Sequence, residues 1–274
     1  MKFQVIPIPK NLKEHIACIR IAEYSGEEGL AINVCLNGLP GIVFQHNEGR
    51  SPLENITTHS GRATSIPTLY VYGQMTRPGV MHYKKEPFAT TQIVLKPHAL
   101  QSLLGINASV LTNGLVDLAE FSTGDLNMQL IETHNEQQRM TLLVGFLLAK
   151  RKQAETGDRL VEESLRLIHK DSGSITVKQL LECLTISERQ FEKRFIQTIG
   201  VAPQFYIRVT RFNKAIRLMK KRKFEKLTDV AHSLNFYDQS HFTRDIKAFS
   251  GITPKMLSQK VDDFLPEQRV IAYL

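Results

Sequence analysis

Residues 187–203 (SERQFEKRFIQTIGVAP) and 238–254 (DQSHFTRDIKAFSGITP) are two versions of one pattern, offset by 51 positions throughout. Each copy begins on a good helix N-cap, Ser187 or Asp238, and places Phe191 or Phe242 four positions on. A cation follows at Lys193 or Arg244, then an apolar residue at Phe195 or Ile246. Apolar residues four apart share one helix face, so the polar residues between them point the other way. Gly200 and Gly251 suit a left-handed C-terminal cap, and Pro203 and Pro254 cannot continue a helix that ends there. The repeat therefore predicts two short helices, mounted alike, with outward polar faces. That is the layout of a paired reading head for DNA.

Charge follows the same division. Between positions 158 and 260 there are 20 Lys and Arg against 11 Asp and Glu, a net +9, while the remaining residues hold 15 against 16. A basic region beside a near-neutral one points to a polyanion partner for the first and another task for the second. A merely soluble surface is the competing explanation of charge taken alone. Three scattered cysteines, Cys18, Cys35 and Cys183, suit neither a disulfide framework nor a clustered metal site. The first residues carry no apolar run of the signal-peptide kind, and Leu142 to Ala149 is far short of the ~20 residues a spanning helix needs. The expectation is a cytoplasmic protein with no membrane partner.

The fold class expected is α+β. Residues 1 to about 95 read as short strands, among them Ile16 to Ile21, Ala31 to Cys35, Ile42 to Phe44, Leu69 to Tyr72 and Thr91 to Leu95, separated by turns such as Asn37-Gly38-Leu39-Pro40-Gly41. Such spacing suggests a small β-barrel or sandwich. Packed helices are expected over His98 to Leu104, Gly114 to Phe121 and about Asp125 to Arg151, with the polar run Lys150 to Gly157 as linker. This divides the chain into a regulatory, sensor or dimerisation domain, 1–150, and an all-α domain, 158–260, of two helix-turn-helix units. In the first unit Val177 to Leu184 supports the helix from Ser187, whose pairing with Gln190 fits a capping box. In the second, Asp229 to Leu234 supports the helix from Asp238, with Thr228 as N-cap. A long helix from Gln204 to about Lys220 joins them.

On the first reading helix Arg189, Glu192 and Lys193 lie at i, i+3 and i+4, on one face, with Gln190 on its flank. On the second, Ser240, His241 and Arg244 share a face and Gln239 sits in the first turn. Arginine and lysine match the acceptors of guanine, glutamate the amino group of cytosine, and glutamine adenine. The connecting helix carries Arg208, Arg211, Lys214, Arg217 and Lys220 at threes, followed by Lys221, Arg222 and Lys223. Some of these are expected to meet phosphates and the others to solvate the helix.

These hundred residues resemble the AraC/XylS family of transcription regulators. Leu227-Thr228-Asp229-Val230-Ala231, then Asn235 to Phe242, then Gly251-Ile252-Thr253-Pro254 resemble its signature nearly position by position. Asn235 stands where the family usually has a turn glycine, Ile246 where it has phenylalanine, and Leu181 where it has alanine. The resemblance implies reading helices that enter successive major grooves, ~34 Å apart, with Arg189, Glu192, Lys193, Gln239, Ser240, His241 and Arg244 on the base-facing surface. It also implies a transcriptional activator rather than a repressor, with double-stranded DNA and RNA polymerase as partners. The N-terminal half is similar to sensor domains of some members, so a small-molecule effector and a second copy of the chain are candidate partners; the effector site is open.

Catalysis is the minor alternative. Cys18 and Cys35 stand alone, and His15, His46, His59, His82 and His98 show no ligand-like spacing, so no catalytic or metal-binding residue and no cofactor is assigned. A domain that only dimerises is another alternative, with Met140 to Ala149 as a face buried either between copies or on its own domain. If the domain senses a ligand, strand residues such as Tyr70, Tyr72 and Phe88 are candidates to line its cavity. The apolar end, Val270 to Leu274, is expected to dock.

Overall fold

A computed structural model describes residues 2–58, 61–121, 124–153, 157–171, 173–221, 224, 226–260 and 272–273. The N-terminal half is a β-sandwich. One sheet has six strands in the order β1 (Lys2–Ile6), β2 (Ile16–Tyr24), β9 (Phe88–Leu95), β4 (Gly41–His46), β7 (Leu69–Tyr72) and β10 (Leu115–Asp117). The other has β11 (Ala272–Tyr273), β3 (Leu30–Val34), β8 (Gly79–Tyr83), β5 (Leu53–Thr58) and β6 (Gly61–Ala63). Described pairings within both sheets are antiparallel, and among the described residues no strand closes them into a barrel, so of the two expected forms the sandwich is the one adopted.

Strand alternation sorts side chains between two cores. Ile42 and Phe44 face outward, where α1 (Ala99–Leu104) and α3 (Glu136–Gln153) cover the sheet with Leu100, Leu103, Leu143 and Leu147. Val43 faces inward with Tyr70, Tyr83 and Phe88, and the last two stack with ring centroids 4.6 Å apart. Met140, Leu143 and Leu147 are thus buried on their own domain, not held out for a second copy.

Three local expectations are corrected. Residues 114–121 are not a helix: β10 pairs with β7, and a 3-10 turn follows at Leu118–Phe121. The stretch from Asp125 is two helices, α2 (Leu126–Glu132) and α3. They break where the Asn135 side chain accepts from the backbone N–H groups of Gln137 and Gln138, at 2.8 and 3.3 Å, and so caps α3. Helix α3 also runs through Gln153 into the expected linker, whose residues 154–156 lie outside the described residues.

The C-terminal half is helical: α4 (Arg159–Lys170), α5 (Val177–Leu184), α6 (Glu188–Ile199), α7 (Pro203–Lys221), α8 (Leu227–Ser233), α9 (Gln239–Ser250) and α10 (Pro254–Lys260). Pro203 opens α7 at a position where its missing N–H costs nothing. Phe191, Phe195 and Ile199 of α6 are buried with Val161 and Ile168 of α4, Leu180 of α5 and Ile207 of α7. Phe242, Ile246 and Phe249 of α9 are buried with Val230 and Ala231 of α8 and Phe212 and Ile216 of α7. Helices α6 and α9 therefore each sit on their own core, and α7 belongs to both.

The two halves are knit together. Cys35 and Leu36 of the sandwich, each 1% exposed, belong to the core of the second unit. Leu36 N–H donates to the Phe249 carbonyl at 3.0 Å, and the Asn213 amide donates to the Asn37 carbonyl at 2.8 Å. Gly38 has φ +74°, and a Cβ there would stand 3.2 Å from the Tyr206 ring and 3.3 Å from Val209. At the first unit Thr198 donates to Gln101 of α1 at 2.6 Å, and Thr112 donates to the Gly200 carbonyl at 2.5 Å. The chain's end also returns to the sandwich: Ala272 and Tyr273 pair with Val34 and Asn33, while 270, 271 and 274 lie outside the described residues.

Candidate nucleic-acid interface

The turn before each reading helix needs a left-handed residue. Thr185 supplies it in the first unit (φ 51°) and Asn235 in the second (φ 53°), so asparagine takes the conformation expected of it. After its turn α9 starts as expected, with the Asp238 carboxylate accepting from His241 N–H at 2.6 Å. In α6 the expected capping box does not form; the Ser187 hydroxyl instead donates to the Gln190 side-chain oxygen at 3.2 Å. The supporting helix α5 does carry a capping box, between Thr176 and Gln179. Helix α8 starts two residues earlier than expected: Lys226, not Thr228, is its N-cap, and the Asp229 carboxylate accepts from Lys226 N–H at 2.8 Å. Both helices end at glycines in the left-handed region, Gly200 (φ 93°) and Gly251 (φ 81°).

Opposite their buried aromatic stripes the helices present the expected residues. Arg189, Gln190, Glu192 and Lys193 are exposed on α6, and Gln239, Ser240 and Arg244 on α9. His241 is only one-third exposed. Its ring meets Phe236 edge-on at 5.4 Å, and its Nε2 lies 3.7 Å from the Asp245 carboxylate, which draws it toward the helix flank.

Two ion pairs that the sequence did not single out fix the orientation of these helices. Arg194, on α6, donates through Nε and Nη2 to both carboxylate oxygens of Asp158, each at 2.7 Å, while Asp158 also accepts from Leu160 and Val161 N–H at the start of α4. Arg208, on α7, holds Asp245 of α9 with contacts of 2.7 and 3.3 Å, and its guanidinium lies over the Phe249 ring at 5.2 Å. Asp245 is 1% exposed, so this contact ties the second reading helix to the connecting helix from within. The expectation for α7 is thereby sorted: Arg208 and Arg211 serve the fold, Arg211 donating to the Gly173 carbonyl and covering Phe236, whereas Arg217 and Lys221 are exposed. Arg222 and Lys223 lie outside the described residues. Tyr237, within the signature stretch but not among the expected base-facing residues, is 93% exposed beside the Asp238 cap.

Asp158 gives the first unit a pH signature. Burial opposes its ionisation, but Arg194 and the Val161 and Leu160 N–H groups outweigh it and hold the carboxyl below its ordinary range. A depressed folded-state pKa stabilises the protein above the unfolded value near 4, and that contribution disappears as pH falls through the folded value. Asp158→Asn keeps a capping oxygen and loses the titration. In urea unfolding it is expected to show a smaller loss of midpoint between pH 5 and pH 3 than the wild type. The difference is modest, because Arg194 is 44% exposed.

A second feature lies in the sandwich. Between the two sheets is a cavity of about 490 Å³, with Val34, Leu39, Val43, Ile56 and Met81 on its apolar side and Tyr72 and Gln92 among its polar groups. Tyr70 also lines it, whereas Phe88 is packed in the neighbouring core. Cys35 and Asn37, at the junction with the second unit, form part of its wall. Among the described residues no cluster of three or more His, Cys, Asp or Glu could hold a metal ion, and no helix is long and apolar enough to cross a membrane.

Comparison with known proteins finds separate matches in the two halves of the chain. A helix-turn-helix domain family matches residues 180–260, and a domain of unknown function (DUF6597) matches residues 4–117. The HTH-type transcriptional regulator ArgR of Pseudomonas aeruginosa is 24% identical over 139 residues, which are 51% of this chain and 40% of that protein's length. Among solved structures, ToxT from Vibrio cholerae aligns over 94% of this chain and 98% of its own, at 14% identity and a TM-score of 0.48. The C-terminal domain of AraT from Geobacillus stearothermophilus aligns over 38% of this chain and 86% of its own, at 18% identity and a TM-score of 0.35.

Proposed function

We propose that this chain, whose residues 180–260 match a helix-turn-helix domain family, is a transcription regulator of the AraC/XylS family that binds specific DNA sequences by laying α6 and α9 in two successive major grooves. One observation carries this reading: two helices built alike on separate cores present exposed polar faces and share the rigid helix α7. Arg189, Glu192 and Lys193 read one half-site, with Gln190 at its flank. Gln239, Ser240 and Arg244 read the other, with His241 contributing from the helix edge. Arg217, Lys221 and Tyr237 are placed to meet the sugar-phosphate backbone, which sets affinity and register rather than sequence preference. The sandwich domain senses a small molecule in its cavity and passes its state through the Cys35–Leu36 junction. Transcriptional activation with RNA polymerase as partner completes the reading.

Fluorescence anisotropy against the chain's own upstream DNA and a scrambled duplex, at two salt concentrations, tests it. Arg189→Ala and Arg244→Ala are each expected to cost ~1–3 kcal/mol on the specific duplex and to narrow its preference over the scrambled one. Equal binding of both duplexes, with neither substitution mattering, would leave the basic domain as a nonspecific anchor.

A further inference from the structure

The polar end of the sandwich cavity is built around one hydroxyl group. Gln92 Nε2 donates to the Tyr72 hydroxyl at 2.9 Å, and Gln92 Oε1 accepts from Arg20, through Nε at 2.7 Å and through Nη2. Donation therefore runs from guanidinium to amide to phenol, and a cation at the head of such a chain strengthens every donor below it. The phenol oxygen receives Gln92, so its own O–H remains to be given, and among the described residues no acceptor meets it. Burial raises the Tyr72 pKa, with Arg20 and Gln92 offsetting part of the effect, so the hydroxyl keeps its proton at neutral pH. Gly41 makes the room: a Cβ there would stand 2.6 Å from the Tyr72 oxygen and 2.8 Å from the Ile93 carbonyl. Beyond this donor the lining is largely apolar surface, from Val34, Leu39, Val43, Ile56, Ile66 and Met81, with Asn37, Arg62 and Asn113 among its other polar residues.

We propose that this cavity binds a small apolar molecule whose hydrogen-bond acceptor, a carboxylate or a carbonyl oxygen, is received by the Tyr72 hydroxyl. The inference rests on the sensor reading of the sandwich and names its ligand class. An amine head is refused, because an ammonium group has only donors to offer to an O–H and meets the field of the Arg20 guanidinium behind it. An uncharged apolar molecule with no acceptor forgoes the hydroxyl and leaves it buried without a partner.

Three probes on one apolar body test the proposal by calorimetric titration of the full chain: 4-phenylbutanoate, 4-phenylbutanamide and 4-phenylbutylamine. The acid and the amide are expected to bind, and the amine at least about tenfold more weakly. Tyr72→Phe deletes only the hydroxyl and is expected to weaken the acid and amide about tenfold while leaving the amine unchanged. An acid that binds better than the amide identifies an anionic ligand; equal binding identifies a neutral carbonyl. The proposal is overturned if all three probes bind alike, if none binds, or if Tyr72→Phe leaves acid and amide affinity intact. Anisotropy on the same samples separates the two readings. Sequence-selective DNA binding without the probe pattern sinks the ligand class alone, whereas loss of selectivity on every duplex sinks the regulator reading.

Discussion

Truncating Phe242 to alanine is expected to lower the stability of the second helix-turn-helix unit by about 3–5 kcal/mol and to abolish sequence-selective DNA binding. Phe242 is 1% exposed, and its neighbour Phe236 packs edge-on at 5.1 Å. The cluster around it takes Val230, Ala231 and Leu234 from the supporting helix and its end, Phe212 and Ile216 from α7, and Ile246 and Phe249 from the reading helix itself. The space left is lined by buried side chains already packed against one another, so the cost combines lost transfer energy with a cavity. Urea unfolding of Phe242→Ala and Arg244→Ala separates mount from reading face. Phe242→Ala should move the midpoint strongly, whereas Arg244→Ala, on the exposed face, should stay within about 0.5 kcal/mol of wild type while losing DNA preference. Equal stability of the two variants would contradict this account of how α9 is held.

Leu36→Asp is expected to release the second unit from the sandwich. The wild-type side chain, 1% exposed, comes from the N-terminal half and is buried in the cluster that holds Val209, Phe212 and Phe249. Burying an ionised carboxylate among these apolar side chains costs several kcal/mol. The backbone bond from Leu36 to the Phe249 carbonyl would have to open with it. In differential scanning calorimetry the wild type should melt with its halves coupled, and Leu36→Asp should split the transition, the C-terminal part moving to lower temperature. An unsplit, unshifted transition would show that the junction contributes little.

The C-terminal domain was legible because its information is local. Phenylalanines at i and i+4, glycines at the helix ends and an asparagine where φ must be positive each state a backbone requirement within a few residues, and α6, α7 and α9 formed on those terms. Which side chains of α6 and α9 are exposed follows from the same periodicity, as at Arg189, Lys193 and Arg244. The sandwich was legible only in part, because its edges depend on distant partners. Strand β10 is three residues long and exists by pairing with β7, so its Leu-Val-Asp carries no signal that outweighs the helical look of its surroundings. Strands β5 and β8 carry a weak signal too, since each is interrupted by polar residues and is held by pairing with other strands, β8 by β3 and β5, and β5 by β8 and β6. The Asn135 cap that divides α2 from α3 was available in the sequence as an asparagine ahead of Glu136 and was passed over. The Arg208–Asp245 and Arg194–Asp158 pairs join residues 37 and 36 positions apart, and no local pattern announces such contacts. The insertion of Cys35 and Leu36 into a helical core is of the same kind, since in sequence they read as an ordinary apolar strand end.

The central claim is that both reading helices engage one DNA molecule at once, held in register by α7. Hydroxyl-radical footprinting of the full chain on a site selected from random duplexes tests it most directly. The account predicts two protected patches on one face of the duplex, one helical turn or about 10.5 base pairs apart, and loss of tight binding when five base pairs are inserted between them. A single patch, or a site that tolerates the insertion, would contradict it.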